Sequence, residues 1–305
     1  FFLSPSLLSR SYMLLCLTPW WAVFAAAAIS ALFVGCLYVG VRGVPNRDDP
    51  AVIKQRFVRV GVASALALVV VGIAASVPAL QRSDPTCPAP ASAARWLGVA
   101  APLPTDALLL ALLLPPALTA VLFFGPLVHC WLDNEPLLSD PLLRESGDPA
   151  GGARLRRARN LLVGPLVEEW TFRACSCPLL SSAGYSDAQA VWLSAVLFGA
   201  AHIHHRYDAK VPWVAVLLQF VYTSLFGAYS SYLFLRTGLI YGPLLAHSFC
   251  NLMGLPSFGR VPGHRHAWGL AAAYLAGIAS FVGLVVADAR CRPRLFHSMF
   301  WAEAP

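Results

Sequence analysis

Long apolar runs, separated by short polar segments, make up most of this chain. Seven runs approach or exceed the about 20 residues that an α-helix needs to cross the hydrocarbon core of a bilayer. These runs are Trp20–Val41, Val60–Leu80, Ala107–Val128, Ala188–Ile203, Pro212–Leu235, Gly238–Leu255 and Ala267–Ala287. An eighth segment, Asn160–Leu180, is apolar apart from Glu168, Glu169 and Arg173. The pattern predicts an all-α, polytopic integral membrane protein with about eight transmembrane helices.

The composition supports this class of protein. Hydrophobic residues make up 58% of the chain and charged residues only 12%, about half of the roughly 25% that is usual in soluble domains. So few charges exclude a disordered chain and argue against a surface that faces water on all sides. We expect one membrane-embedded domain over residues 1–305, with its chemistry in the core 160–256.

Basic residues concentrate between the apolar runs, where they predict topology and contact with anionic lipid headgroups, with no nucleic acid as a partner. The net charge is +7, and the segments Arg42–Arg59 and His129–Arg159 carry five basic residues each. If all eight segments span, one face carries 14 Lys and Arg residues and the other carries 7. The positive-inside rule then places the odd-numbered loops in the cytoplasm and both termini on the opposite side. A re-entrant segment would move the C-terminal part to the other side.

The eight cysteines contain no CxxC pair, and at least four of them lie inside apolar runs. This distribution indicates small core residues, and neither a disulfide framework nor a zinc knuckle. The cysteines are Cys16, Cys36, Cys87, Cys130, Cys175, Cys177, Cys250 and Cys291.

Three ionisable side chains within Asn160–Leu180 are the first candidates for chemistry, because charges in a bilayer are costly and usually face a partner or a cavity. Glu169 and Arg173 are four residues apart, so a helix places them on one face, and we expect them to pair. Glu168 points about 140° away from Arg173 on a helix of about 3.6 residues per turn and is expected to stay unpaired. The alternative is that both glutamates share Arg173 and hold helices together.

Two further polar sites lie in other apolar runs. His202 ends one run, while His247 and Asn251 are four residues apart and therefore share one face of another. Each site alone is compatible with a structural role, as an interfacial anchor or an interhelical hydrogen bond. With alternating spans, however, Glu168, His202 and His247 all lie near the same basic face. Their common depth predicts a catalytic cavity in the cytoplasmic half of the membrane.

Together these residue types suit hydrolysis. A carboxylate in a low-dielectric pocket can serve as general base or acid, and a neighbouring imidazole such as His202 can share the activation of a water. His247 and the side-chain amide of Asn251 form a plausible oxyanion hole. Because no Ser or Cys is spaced as an obvious nucleophile, direct attack of water on an acyl or peptide bond is favoured.

Two other functions stay open at this point. Glu168, His202 and His247 can hold zinc, because two His and one Glu form a known ligand set, although the chain has no HExxH motif. The same residues can relay protons in a membrane transporter. Transporters often contain inverted repeats, and none is visible in this sequence.

The ordered motifs EExxxR, FxxxH and HxxxN, each on a separate apolar run, resemble those of the type II CAAX prenyl endopeptidases, the family of the Ras-converting enzyme. They stand here as Glu168-Glu169…Arg173, Phe198…His202 and His247…Asn251. Longer stretches are also similar to the eukaryotic enzymes, namely RDDPAVIKQRF, EEWTFRACSCPLL, FGAAHIHH, QFVYTSLFGAYSSYLFLRTG and GPLLAHSFCNLMGLP. The likeness covers roughly residues 35–60 and 160–256.

The resemblance implies an enzyme that removes the last three residues from prenylated proteins ending in Cys-a-a-X, such as Ras-type small GTPases. It implies a multi-pass protein of the endoplasmic reticulum membrane whose site opens to the cytosol. The prenyl chain of the substrate would stay in the lipid while the peptide reaches the polar pocket.

The same resemblance assigns roles to the residues that match its motifs. Glu168 would act as the base on a water, with His202 assisting. His247 and Asn251 would stabilise the oxyanion. Glu169 and Arg173 would be supporting residues, and neither a metal nor a cofactor takes part in the mechanism that the resemblance implies.

Overall fold

The computed structural model describes residues 12–13, 15–41, 46–82, 87, 91–101, 103–135, 152–206, 212–291, 296 and 298–301. Regular structure in this part of the chain is helical except for one antiparallel pair of two-residue strands, β1 (Tyr12–Met13) and β2 (Ala91–Ser92). The predicted all-α fold is therefore confirmed. The helices are α1 (Pro19–Tyr38), α2 (Pro50–Ser76), α3 (Ala93–Trp96), α4 (Thr105–Leu122), α5 (Phe124–Leu132), α6 (152–181), α7 (Asp187–Ala201), α8 (Trp213–Thr237), α9 (Tyr241–Met253) and α10 (Ala267–Cys291), with 3₁₀ turns at Pro78–Leu80, His202–His204 and Phe258–Arg260.

Five helices in the described part of the chain, α1, α2, α4, α8 and α10, are long and apolar enough to cross a membrane. Each of the three remaining predicted spans coincides with a helix, α6, α7 or α9. Helix α9 has 13 residues and is therefore only about 20 Å long. The count of eight spans stays a prediction. Of the basic residues used for topology, Arg10, Arg42, Arg144, Lys210, Arg292 and Arg294 lie outside the described residues.

Helix α2 begins well before the apolar run that predicted it. The Asp49 side chain accepts hydrogen bonds from the backbone N–H groups of Ala51 and Val52, which caps the helix. Pro50 stands at the first helical position, where its missing N–H costs nothing. Hydropathy marks the part of a helix that lies in lipid, and not where the helix begins. As a result, Arg56 lies on a rigid helix instead of a loop.

Helix α6 contains two π-helical turns, Arg159–Val163 and Trp170–Ser176. In the first turn the N–H of Gly164 donates to the carbonyl of Arg159, five residues earlier. A Cβ on Gly164 would lie 2.6 Å from that oxygen, so only glycine fits there without a shift of the backbone. Turns of this kind are frequent at functional sites, and these two bracket the Glu168–Glu169 pair.

Helices α7 and α8 pack closely through small residues. A Cβ on Gly199 would collide with the Ser224 side chain, and one on Gly227 would lie 3.1 Å from the Cα of Ala195. Close approach of small residues is how helices associate in lipid, where the hydrophobic effect between them is absent. This packing fixes the end of α7, where His202 begins the following 3₁₀ turn.

Cys16 and Cys87 form a disulfide between the segment before α1 and the segment between α2 and α3. The interpretation of all eight cysteines as small core residues is wrong for this pair. The two cysteines are 71 residues apart and are brought together by tertiary contacts, such as the bridge between Leu17 and Gln81, that no spacing reveals. Free thiols are found at Cys36, Cys130, Cys175, Cys177 and Cys250.

We expect replacement of both Cys16 and Cys87 by Ser to lower the free energy of unfolding by about 2–4 kcal/mol, because a cross-link restricts the unfolded chain. The measurement is thermal unfolding of the purified protein in detergent. Cys36→Ser, which removes a free thiol, is the matched control. An unchanged melting temperature in the double variant would contradict a structural role for the disulfide.

Candidate active site

A cavity of about 350 Å³ lies between α1, α2, α6 and the turn that begins at His202. Its apolar lining comes mainly from α1 and α2 and includes Phe33, Leu37, Phe57 and Val60. The polar side chains that line it are Arg47, Arg56, Arg159, Asn160, Glu168, His202, His204, His205 and Asn251. Three of the four residues predicted to be catalytic therefore line one cavity, and the fourth, His247, lies beside it.

Glu168 lies between the two predicted histidines. Its Oε2 atom is 3.9 Å from Nε2 of His202 and 3.8 Å from Nε2 of His247. The Glu168 side chain keeps 23% of its surface exposed, so it faces the cavity without being sealed off from it. Three residues from separate parts of the sequence thus meet at one carboxylate, and among the contacts of the described residues Glu168 makes none with Arg173.

Hydrogen bonds fix the orientation of both imidazole rings. Nδ1 of His202 lies 2.8 Å from the carbonyl oxygen of Phe198, and Nδ1 of His247 lies 2.6 Å from Oε1 of Glu169. A carbonyl and a carboxylate can only accept hydrogen bonds, so each Nδ1 must carry the proton. Each ring therefore directs its other nitrogen, Nε2, toward Glu168.

Glu169 and Arg173 are fully buried and form the predicted pair, with Nε of the arginine 3.2 Å from Oε2 of the glutamate. Ser230 donates a hydrogen bond of 2.6 Å to the same oxygen. The guanidinium also stacks on the ring of Phe198, 4.3 Å from its centre. One carboxylate oxygen of Glu169 thus contacts Arg173 and Ser230, and the other accepts from His247. Glu169 does not line the cavity, so it supports the site through His247.

Asn251 lies one helical turn after His247, and its Nδ2 donates to the backbone carbonyl of Asn160 at 2.9 Å. That carbonyl lies in the first π turn of α6, where the hydrogen-bond partner five residues later would be Pro165, which has no N–H. The amide of Asn251 therefore satisfies a carbonyl that the helix itself leaves open. The contact anchors α9 to α6 and brings Asn251 to the cavity wall.

Two supporting residues were missed by reasoning from sequence. Ser230 lies in an apolar helix, where a serine is compatible with many positions, and only the tertiary contact with Glu169 reveals its role. The backbone carbonyl of Asn160 has no side-chain signal at all. The three arginines of the cavity were interpreted as topology signals alone.

Arg47 and Arg159 form the outer end of the cavity, which lies at the far end of its α6 wall from Glu168 and is positively charged. Arg159 forms an ion pair of 2.9 Å with Asp48, and its Nη1 donates to the backbone carbonyl of Arg47. Burial lowers the pKa of Arg159, the hydrogen bond that it donates to Asp48 opposes this shift, and the nearby charges of Arg47 and Arg56 lower the pKa further. Arg47, Arg56 and Arg159 thus place three cationic side chains on the lining of one cavity.

The residues of the zinc alternative are not arranged around a common metal position. Among the described residues, no group of three or more His, Cys, Asp or Glu side chains is arranged to hold a metal ion. Glu168, His202 and His247 approach one another through single atoms, while the second nitrogen of His247 is bonded to Glu169.

Known proteins are similar to this chain over nearly its whole length. A family model described as type II CAAX prenyl endopeptidase Rce1-like matches residues 152–253, a range that contains every candidate catalytic residue. CAAX prenyl protease 2 of Homo sapiens is 34% identical over 292 residues, which cover 92% of this chain and 84% of that protein. Probable CAAX prenyl protease 2 of Schizosaccharomyces pombe is 32% identical over 251 residues, 78% of this chain and 82% of that protein. CAAX prenyl protease 2 of Arabidopsis thaliana is 42% identical over 136 residues, 42% of each chain, and no solved structure shows a significant match.

Proposed function

The chain belongs to the type II CAAX prenyl endopeptidase family, and from this premise we propose that it removes the C-terminal aaX tripeptide from prenylated CAAX proteins, including Ras-type small GTPases. The observation that carries the proposal is the Glu168 carboxylate, which lines a cavity and lies within 4 Å of two imidazole Nε2 atoms. A base and two further polar groups around one point are what hydrolysis by water requires. The reaction is the cleavage of the peptide bond after the prenylcysteine.

Glu168 is proposed to activate the water. Its carboxylate takes a proton from the water, and the oxygen attacks the carbonyl carbon of the prenylcysteine. His202 holds the same water, because its Nε2 carries no proton while Nδ1 donates to the Phe198 carbonyl. A water between these two groups is in hydrogen-bonding reach of both, since the two atoms are 3.9 Å apart.

His247 and Asn251 are proposed to stabilise the oxyanion that the attack creates. Asn251 has a second N–H beside the one that is bonded to Asn160, and it lines the cavity. Nε2 of His247 donates to the oxyanion when the ring carries both protons, while Nδ1 donates to the Glu169 carboxylate. When the intermediate collapses, the carbon–nitrogen bond breaks and Glu168 gives its proton to the leaving amine. The products are a prenylcysteine carboxylate and a free tripeptide.

The apolar part of the cavity suits a lipid-modified substrate. Phe33 and Leu37 on α1 and Phe57 and Val60 on α2 line it, and both helices are apolar enough to lie in a bilayer. We propose that the prenyl chain enters along these helices from the lipid, while the peptide reaches Glu168. Prenylated proteins and membrane lipid are then the partners of the enzyme.

We further propose that the protein resides in the endoplasmic reticulum membrane with this site open to the cytosol. The more basic set of loops supports a cytosolic position for the ends of the helices that carry Glu168, His202 and His247. The disulfide between Cys16 and Cys87 belongs to the less basic face, and disulfides persist in oxidising compartments such as the lumen of the endoplasmic reticulum.

The test is incubation of the purified protein with a farnesylated peptide that ends in a CAAX sequence. We expect release of the intact tripeptide, detected by mass spectrometry, because cleavage after the prenylcysteine frees the last three residues as one peptide. The same peptide without the farnesyl group is the matched control and is expected to be a much poorer substrate. A proton-relay transporter would release product from neither peptide.

The same preparation decides the zinc alternative. We expect full cleavage after treatment with a metal chelator, together with substoichiometric zinc in the purified protein. Stoichiometric zinc whose removal abolishes cleavage would overturn the mechanism based on Glu168 and favour a metalloprotease.

A further inference from the structure

One wall of the cavity is a single stripe of α6 that connects its charged outer end to the proposed base. The residues of this stripe are Arg159, Asn160, Val163, Gly164, Val167 and Glu168, and all of them line the cavity. Their spacing of three and four residues is that of one helix face. Arg159 and Glu168 are nine residues apart, which corresponds to about 13 Å along a helix.

Three arginines from separate elements line the cavity, and two of them, Arg47 and Arg159, meet at the outer end of this stripe. Arg47 precedes α2, Arg56 lies on α2, and Arg159 begins the first π turn of α6. Asp48 pairs with Arg159 at 2.9 Å and so holds the group in place from outside the lining. Among the described residues that line the cavity, the acidic side chain is Glu168, at the opposite end of the stripe. A cluster of guanidinium groups aimed into a cavity is suited to a carboxylate or a phosphate.

We propose that Arg47 and Arg56 bind the C-terminal carboxylate of the CAAX substrate, an inference that rests on the proposed function. An extended tripeptide reaches about 10 Å from the scissile bond to its terminal carboxylate, at about 3.3 Å per residue. The tripeptide is about 3 Å shorter than the about 13 Å between Arg159 and Glu168 along α6, and a long arginine side chain can bridge this difference. The distance from the arginines to Glu168 would then select substrates that end three residues after the prenylcysteine.

A lipid phosphate is the other anion that such arginines can bind. The position of the arginines favours the peptide, because they line the same cavity as Glu168. Arg159, which donates to the backbone carbonyl of Arg47, lies about 13 Å along α6 from Glu168, close to the length of an extended tripeptide. Arginines that only held headgroups would have no reason to share a wall with the proposed base. The peptide and lipid alternatives differ in their dependence on the substrate C-terminus, which can be changed chemically.

The experiment compares two farnesylated peptides of the same sequence, one with a free C-terminal carboxylate and one with a C-terminal carboxamide. The wild-type enzyme is expected to prefer the acid by roughly tenfold or more in kcat/KM, as for the loss of a hydrogen-bonded charge. Arg56→Gln and Arg47→Gln are expected to lower kcat/KM for the acid by roughly tenfold to a hundredfold and to change it for the amide by less than about twofold. Cleavage of the amide also shows that each variant is folded.

Lys54→Gln is the matched control, since Lys54 is an exposed cation on α2 that does not line the cavity. It is expected to leave both substrates unaffected. An equal loss of kcat/KM for the acid and the amide in Arg56→Gln would overturn the inference. Wild-type cleavage of both peptides at the same rate would also overturn it, but would leave the proposed function intact. Cleavage of neither peptide would overturn the proposed function and the inference with it.

A second arm separates peptide from lipid. The comparison is repeated in vesicles of phosphatidylcholine alone and in vesicles that also contain phosphatidylserine. We expect the same preference for the acid in both membranes. A preference that exists only with the anionic lipid would assign the arginines to lipid headgroups and overturn the inference.

Discussion

Replacement of Glu168 by Ala is expected to reduce kcat for the farnesylated CAAX peptide by about 10²–10⁴-fold, the usual contribution of a positioned general base. The reason is local, because Glu168 is the carboxylate whose Oε2 lies near Nε2 of both His202 and His247 at the cavity wall. Glu168→Gln keeps the shape of the side chain but not its basicity, so it should be almost as inactive. The measurement is the initial rate of tripeptide release at saturating substrate.

The melting temperature of the Glu168 variants is the control for this prediction. Since the Glu168 side chain is partly exposed and forms no bond shorter than 3.8 Å to the two histidines, its replacement should leave the melting temperature within a few degrees of wild type. An inactive but normally stable Glu168→Ala variant identifies a chemical role. If that variant turned over the peptide at the wild-type rate, the mechanism proposed above would be wrong.

Replacement of Arg173 by Met is expected to have the largest effect on folding, with a loss of about 3–5 kcal/mol, because it leaves the Glu169 charge buried without its cation. Arg173 and Glu169 are both fully buried and belong to the same helix. Glu169→Ala should be similarly destabilising, and it should also reduce activity, because His247 loses the carboxylate that orients its ring. Thermal unfolding in detergent and kcat, measured on the same preparations, check both parts.

The double variant Glu169→Gln with Arg173→Met separates the two roles. It removes both charges and keeps a hydrogen-bonding group at position 169, so part of the lost stability should return. Activity should stay low, because a neutral amide accepts the hydrogen bond from Nδ1 of His247 less strongly than a carboxylate does. Recovery of both stability and activity would show that Glu169 has no role beyond pairing with Arg173.

Much of the fold follows from the sequence because hydropathy reports directly on membrane segments. All eight apolar segments coincide with helices, although their ends shift where capping takes over. Asp49 and Pro50 begin α2 in a charged segment, where hydropathy is silent. The Glu169–Arg173 pair was also predictable, since it depends only on a spacing of four residues within one helix.

The rest of the site depends on contacts between elements, which local periodicity cannot report. His247 and Glu169 are 78 residues apart, and their hydrogen bond requires α6 and α9 to pack in one particular register. The link from Asn251 to Asn160 depends on a π turn, and the disulfide of Cys16 depends on a partner 71 residues away. Charge counting assigned Arg56 to a loop, whereas the structure places it at the cavity.

The short helix α9 has a consequence for the membrane around the enzyme. Its 13 residues cover about 20 Å, roughly two thirds of the about 30 Å hydrocarbon core of a bilayer. A spanning helix of this length is accommodated by local thinning of the bilayer, by flanking residues that reach the interface or by association with other helices. If α9 crosses the membrane as predicted, the lipid beside His247 and Asn251 would be thinner than the surrounding bilayer, and the polar end of a substrate would travel a shorter distance to the base. We therefore expect turnover to depend on bilayer thickness and to be faster in vesicles of short-chain lipids than in vesicles of long-chain lipids.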